Sequence, residues 1–360
     1  MKQLFFISAI TCLTLASCGG KSDSGKEVAL DPDLKKEHLN GNVESVRQRV
    51  YWCLEKFGRL EKGKRQNLSG SDYLKVFDKD GFLTEETHYN ATDEVVSVRR
   101  ITYTAAHQPL SETIYKGTNL DETIAYTYDI NNVLTQKDKF DKDGNISEST
   151  RYTYFPDGRV MDEDLYNKAG SLTRKYVHIY NEAHLRERAK YWGGGSLAQK
   201  EYYEYDANNF LSAVYSEKYT NKVATPEKRV EYSDYNTFGD YSLRLEYDEE
   251  GQLVAKKNYK YDAQGNLTEY IPTSITRKVN AAAEPDATAE PDVAIEADDT
   301  IESDDETYSP IEEIWVQQVG GTYTYEYDTN NNWVTKITYK IDENSNSTRQ
   351  FYYERVISYR

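Results

Sequence analysis

The sequence predicts an all-β protein: a long antiparallel β-meander of repeated hairpins, curled or partly rolled, with a closed barrel or a two-layer sandwich as the alternative. Three observations lead there. The phrase FDKDGFLTEETHY at 77–89 returns sixty-three residues later as FDKDGNISESTRY at 140–152. Aromatic residues followed by a turn-like tetrad form a ladder, Phe77, Tyr89, Tyr103, Tyr115, Tyr128, Phe140, Tyr154, Tyr166, Tyr180, Tyr191 and Tyr205, with steps mostly of 12 or 14. At about 100° per residue those steps scatter around a helix, whereas both return to the same side of an extended chain. Tyrosine fills 33 of 360 positions against 10 phenylalanines and 4 tryptophans, a composition suited to aromatic cross-strand surfaces rather than a thick aliphatic core.

Residues 1–17 read as a signal peptide: Lys2, a thirteen-residue apolar run from Leu4 to Ala16, then Leu15-Ala16-Ser17-Cys18-Gly19. The run is too short for a permanent membrane helix. The segment ending in Cys18 resembles the lipobox of bacterial lipoproteins, which implies diacylglycerol on the Cys18 thiol and two or three acyl (palmitate) chains in all. Two or three chains anchor where one is marginal, so the expected address is the outer membrane, on either its periplasmic or its surface-facing side. Residues 18–30 form the lipidated tether. Of three cysteines, Cys12 leaves with the signal and Cys18 carries lipid, so Cys53 has no partner for a disulfide and reads as a small buried residue.

Residues 31–72 are expected to cap the array, with one or two helical turns within Asp31–Leu39 stopped near Gly41 and an atypical first strand through Val46, Val50, Trp52 and Leu54. The repeats occupy 73–279. Each unit reads aromatic, Asp or Asn, two polar residues, Gly or Asn, one residue, then an aliphatic, as in Phe77-Asp78-Lys79-Asp80-Gly81-Phe82-Leu83 and Tyr261-Asp262-Ala263-Gln264-Gly265-Asn266-Leu267. Asp accepts backbone N–H bonds in an Asx-turn, and Gly or Asn tolerates positive φ, as in a type I turn closed by a G1 bulge. From Leu83 the chain alternates, so Leu83, Glu85, Thr87 and Tyr89 share the ladder face and Thr84, Glu86 and His88 point to the opposite, charged and wet one. Between Asn280 and Pro310 stand eleven acidic residues and no base, so without the segment the net charge of minus 17 becomes minus 6. Its low apolar content predicts a disordered acidic insert at 280–310, and residues 311–360 resume as C-terminal β-hairpins.

These Tyr-Asp-x-x-Gly-x-Leu units resemble YD repeats, the β-hairpin repeats of RHS and teneurin-type shells, over about residues 73 to 270 and 323 to 340. The resemblance implies a β-hairpin shell. This chain is much shorter and carries neither a toxin domain nor an autoproteolytic motif, so it looks more like the short repeat-bearing lipoproteins of Gram-negative bacteria.

The net-negative surface argues against nucleic acid. His38, His88, His107, His178 and His184 lack metal-ligand spacing, and His178 and His184, which bracket one turn, read as solvent residues. Asp78-Lys79-Asp80-Gly81 has a calcium-loop look but lacks the remaining ligands, so it reads as turn chemistry. No catalytic constellation, cofactor or metal site is therefore expected. The expected function is a non-catalytic, lipid-anchored outer-membrane or cell-surface scaffold binding a glycan or protein partner, with Tyr89, Tyr103, Tyr128, Tyr154, Tyr166, Tyr180 and Tyr205 as the candidate binding face. The alternative is a component of an RHS-like toxin system, a shell fragment or an immunity protein.

Overall fold

The computed structural model describes residues 32–279, apart from 67, 69 and 183, and residues 311–360. The signal segment, Cys18, the tether and the acidic insert lie outside the described residues. One short helix, α1 (Asp33–Lys36), precedes β1 (Val43–Lys56) and β2 (Arg59–Arg65). A meander then runs from β3 (Tyr73–Phe77) through β18 (Leu267–Val279), followed by β19 (Ile311–Gln317), β20 (Gly320–Tyr327), β21 (Trp333–Ile341) and β22 (Ser347–Tyr359).

The meander closes on itself. One edge of β1 pairs with β3 from Ser45↔Val76 to Gln48↔Tyr73, and the other pairs with β22 from Val43↔Tyr359 to Trp52↔Phe351. The result is a 20-stranded closed antiparallel barrel with β2 and β19 as two extra strands, so the barrel alternative holds and the partly open meander does not. Closure removes the free edges that a ribbon of this length would expose. The C-terminus fastens the seam: Arg360 donates its backbone N–H to Asn42 O at 2.9 Å and its Nη1 to Asp78 O at 2.7 Å.

The turns are built as the sequence indicates. Asp78 Oδ1 accepts from the backbone N–H groups of Asp80 and Phe82, both at 2.9 Å, while Gly81 sits at φ +87°. Asp129, Asp206, Asp262, Asp328 and Asp342 repeat the two bonds. At turn after turn the register slips by one residue beside the aromatic, as at Val76/Phe77, Thr127/Tyr128 and Lys260/Tyr261. The bulged residue there is a threonine, and its hydroxyl closes the gap: Thr84 Oγ1 donates to Val76 O at 3.1 Å, Thr135 to Thr127 O at 3.1 Å and Thr268 to Lys260 O at 3.1 Å.

That bulge corrects the expected facing. A bulge consumes a residue without advancing the in–out alternation, so an even step between aromatics flips the ring to the other side of the wall. Rings closing one rim (Tyr103, Tyr128, Tyr154, Tyr180, Tyr205, Tyr235, Tyr261) point into the barrel, and the residues just before the first five, Thr102, Thr127, Thr153, Ile179 and Glu204, are exposed outside. Rings closing the other rim (Tyr89, Tyr115, Phe140, Tyr166) point outward. Glu86 and His88, expected on the wet face, point into the barrel with Lys75 and Tyr73, their cross-strand partners.

We call the first rim, where the described chain begins, the entry rim, and the second the far rim. Segment 32–40 lies across the entry rim. Leu34 N–H bonds Gly81 O at 3.1 Å, Asn40 N–H bonds Asn332 Oδ1 at 2.7 Å, and the His38 ring lies 6.0 Å from Phe238 on a distant turn. There Val43, Val46, Tyr73, Phe77, Leu83 and Ile101 form a buried apolar cluster, with Leu34, Leu39, Tyr103, Ile357 and Tyr359 packed against it. This is where the seam strands and α1 bring aliphatic side chains together. Elsewhere tyrosines and paired charges line the wall.

The outer face carries ion pairs such as Arg100–Glu85 (2.9 Å), Lys175–Asp162 (2.8 Å), Lys200–Glu187 (2.8 Å) and Arg229–Glu231 (2.8 Å). A bilayer-spanning barrel needs an apolar outer band about 25 Å tall. Among the described residues, the outer wall carries charge at these four positions.

Candidate functional site

The seven tyrosines of the expected binding face divide between two surfaces. Tyr103, Tyr128, Tyr154, Tyr180 and Tyr205 point inward at the entry rim. Tyr89 and Tyr166 point outward at the far rim, beneath the guanidinium groups of Arg47 (4.0 Å) and Arg151 (4.6 Å). The inward rings are largely committed to the wall. Tyr103 OH donates to Leu83 O at 2.7 Å, Tyr128 OH to Pro109 O at 2.6 Å and Tyr154 OH to Leu134 O at 2.5 Å. Each bond ties the end of one strand to the start of its neighbour. Burial pushes the Tyr128 and Tyr154 phenols up to about 12. Tyr205 stacks on His184 at 4.3 Å, and Arg159 lies 4.6 Å over Tyr180. We expect Tyr154→Phe to lower stability by about 1 kcal/mol, the usual net worth of one hydrogen bond, seen as a lower urea midpoint with unchanged circular dichroism.

With those rings accounted for, chemistry concentrates inside the barrel. The inward face of the early strands carries a relay of opposite charges. Lys75 meets Glu37 (2.5 Å) and Glu86 (3.9 Å), Arg99 meets Glu86 (3.9 Å) and Glu112 (2.7 Å), and Tyr126 OH donates to Glu112 at 2.6 Å. These carboxylates are half-buried or buried, and their pairing offsets the cost of desolvation. Glu86 is held below the usual carboxylate range, mainly by His88. Further round, Lys139 pairs with Glu122 (2.6 Å), Arg188 with Glu201 (3.7 Å), Lys218 with Glu227 (2.5 Å) and Arg244 with Glu246 (2.8 Å).

Two interior clusters depart from simple pairing. In the first, His178 is 5 % exposed, its Nε2 lies 3.3 Å from Glu163, and its Nδ1 has no hydrogen-bond partner. Burial lowers the imidazole to about 4, and burial likewise raises Glu163. Both shifts favour neutral forms, so the pair suits a dry wall. His178 is therefore an interior residue, contrary to the solvent position expected, because the bulge turns it inward.

In the second cluster, the Lys336 ammonium lies 4.6 Å from the Tyr323 ring centroid, 5.7 Å from that of Tyr325 and 5.6 Å from that of Tyr353. Arg355 stacks 3.6 Å over Trp333, donating Nε to Gln48 Oε1 at 3.0 Å and Nη2 to Tyr73 OH at 2.7 Å. Burial, helped by the charge of Arg355, lowers Lys336 to about 8. Sequence reading missed this cluster. Its members come from the consecutive strands β20, β21 and β22 and from β1 and β3, which ring closure brings beside them.

At the entry rim, Asp78, Asp80 and His107 bring one ligand atom each within 4.8 Å of one another, a set that could hold a metal ion. Each is already engaged locally: Asp78 closes its own turn, and His107 meets Asp80 at 3.0 Å and stacks on Phe82 at 4.5 Å. His107 takes the positive-φ place of the turn glycine (φ +57°) and ties adjacent turns together. On the outer wall at the far rim, a depression of about 210 Å³ is lined by Leu172, Val177, Tyr191, Trp192 and Gly193 among others. Trp192, the residue after Tyr191 and 52 % exposed, turns its ring to the inward side of the rim, where Lys190 lies 4.9 Å from its centroid.

No protein-family model and no curated protein matches the chain. Among solved structures, it is similar to the Photorhabdus luminescens Tc holotoxin pore at 11 % identity, over 86 % of this chain and 16 % of that one, with a TM-score of 0.37. It is also similar to a porin-like protein from Bacteroides uniformis at 10 % identity, over 89 % of this chain and 98 % of that one, with a TM-score of 0.29. The chain thus spans about a sixth of the toxin chain. At these identities and scores neither likeness bears on activity or partner.

Proposed function

We propose that this protein is a non-catalytic, lipid-anchored β-barrel scaffold of the outer membrane or cell surface, held through Cys18 and binding a glycan partner at its far rim. The observation that carries the reading is where the chain enters the fold. Segment 32–40 lies across the entry rim, so an anchor upstream places that rim toward the lipid and turns the far rim away from it. The charged outer wall fits a barrel tethered beside a bilayer rather than inserted in it. Tyr191 on the outer side of the far rim and the exposed Trp192 on its inner side offer flat aromatic faces of the kind that stack on sugar rings.

Two measurements test this. Cys18→Ala should move the protein from the membrane pellet to the soluble fraction, and retention in the pellet would remove the anchor. On a glycan array, the wild-type protein should bind a defined saccharide class, and Trp192→Ala should weaken that binding about tenfold or more. Capture of a secreted toxin with no glycan binding would favour the RHS-like toxin-system reading instead.

A further inference from the structure

We propose that the inner wall formed by β20, β21 and β22 binds a small anionic group, a carboxylate or an oxyanion such as phosphate or sulfate, with Lys336 and Arg355 as its cationic contacts. This deepens the binding role above by naming the chemistry of a ligand that would enter from the far rim.

Most interior cations meet a carboxylate. Lys75, Arg99, Lys139, Arg188, Lys218 and Arg244 each face a carboxylate within 4.0 Å. Lys336 and Arg355 face none among the described residues. The inward Lys137 and Lys190 also lack one and lie by the rings of Tyr126 and Trp192, but Lys336 and Arg355 stand on paired strands, Arg355 two residues beyond Tyr353, the partner of Lys336. The groups around them are Tyr323 and Tyr325 from β20, Trp333 from β21, Tyr353 from β22, Gln48 from β1 and Tyr73 from β3. The acids on these strands point the other way: Glu354 pairs with Lys62 on the outer face, and Glu326 is exposed outside. Ring faces and amide oxygens solvate a cation but cancel none of its charge.

Two like charges are thus held together on a half-buried wall in a protein whose net charge is minus 17. That arrangement costs stability when empty, and an anion between the two cations would relieve it. The depressed Lys336 pKa agrees with uncompensated positive charge at this point. A guanidinium fork fixed by Gln48 and Tyr73 supplies directed donors, the ammonium adds a mobile one, and the phenols can add O–H donors.

Pyridoxal 5′-phosphate is the probe, used on the full-length protein in detergent at pH 7.5. Its phosphate stands for the anionic group, and its aldehyde condenses with a neutral amine, releasing water. Borohydride then delivers hydride to the C=N bond and fixes the adduct for peptide mapping. The expected result is labelling of Lys336 at least tenfold above the median lysine, and at least a fivefold loss of that labelling in Arg355→Gln. Because Arg355 also holds Gln48 and Tyr73, wild-type protein gives an independent reading: added inorganic sulfate should slow labelling at Lys336 and leave other lysines unchanged. Protection by an oligo-uronate but not by sulfate or phosphate would assign a carboxylated saccharide, and the reverse would assign a free oxyanion. Labelling spread evenly over the lysines, or no protection by any anion, overturns the proposal. Membrane release in Cys18→Ala and glycan binding through Trp192 are read without Lys336, so either idea can fail alone.

Discussion

Val46→Asp is expected to prevent the barrel from closing, at a cost above about 3 kcal/mol, the scale for an unpaired charge forced into an apolar site. Val46 is 1 % exposed and lies in the cluster with Val43, Phe77 and Leu83. Its strand is the single element that pairs with both β3 and β22. Lys75 is the cross-strand partner of Val46, but its ammonium is already shared by Glu37 and Glu86, so the new carboxylate would be a third acid on one cation. Val46→Ala leaves only a small cavity and should cost far less. Urea unfolding followed by circular dichroism, together with limited proteolysis at the seam, checks the prediction. A Val46→Asp midpoint equal to that of Val46→Ala would show that the seam does not control stability.

Stability should fall with acidification through His178, and His178→Gln should remove that share of the fall. The folded imidazole titrates near 4 against an ordinary value of 6.5. Above about pH 6.5 neither state binds the proton. Between 6.5 and 4 the unfolded chain binds it and the fold does not, so stability is lost as the pH drops through this window. A shift of that size at a residue 5 % exposed is worth about 3 kcal/mol. Glu163 acts in the opposite sense, because its raised pKa lets the fold take up a proton before the unfolded chain does. The measurement is the difference in urea midpoint between pH 7 and pH 4.5. That gap should be narrower in His178→Gln, and equal gaps would rule out the imidazole as the source.

The repeat was legible because its chemistry is local. Asp78, Asp129 and Asp262 announce their turns through residues two and four positions on, within a single hexapeptide. The short helix was legible too, within Asp31–Leu39, and it forms over Asp33–Lys36. The facing of the rings was not, although the G1 bulge was read from the same residues. Thr84 and Thr135 each add one unpaired residue, as Val96 does between Tyr89 and Tyr103, and counting sequence steps without Val96 puts those two rings on one side when they lie on opposite sides. The interior cluster at Lys336 and Arg355 depends on Gln48 and Tyr73, roughly 280 to 310 positions away. No local pattern encodes such a meeting. His107 beside Asp80 is a milder case, since neighbouring turns meet only because alternate hairpins end at the same rim.

Joining the two ends of the meander also sets an order of events during synthesis. Residues 43–52 wait for 351–359, so nearly the whole polypeptide must be made before its last ladder can zip. Until then two raw borders are available to any neighbour, and loss of the final dozen residues would leave them so permanently. Truncation at the carboxyl end should therefore yield intermolecular pairing rather than a smaller ring.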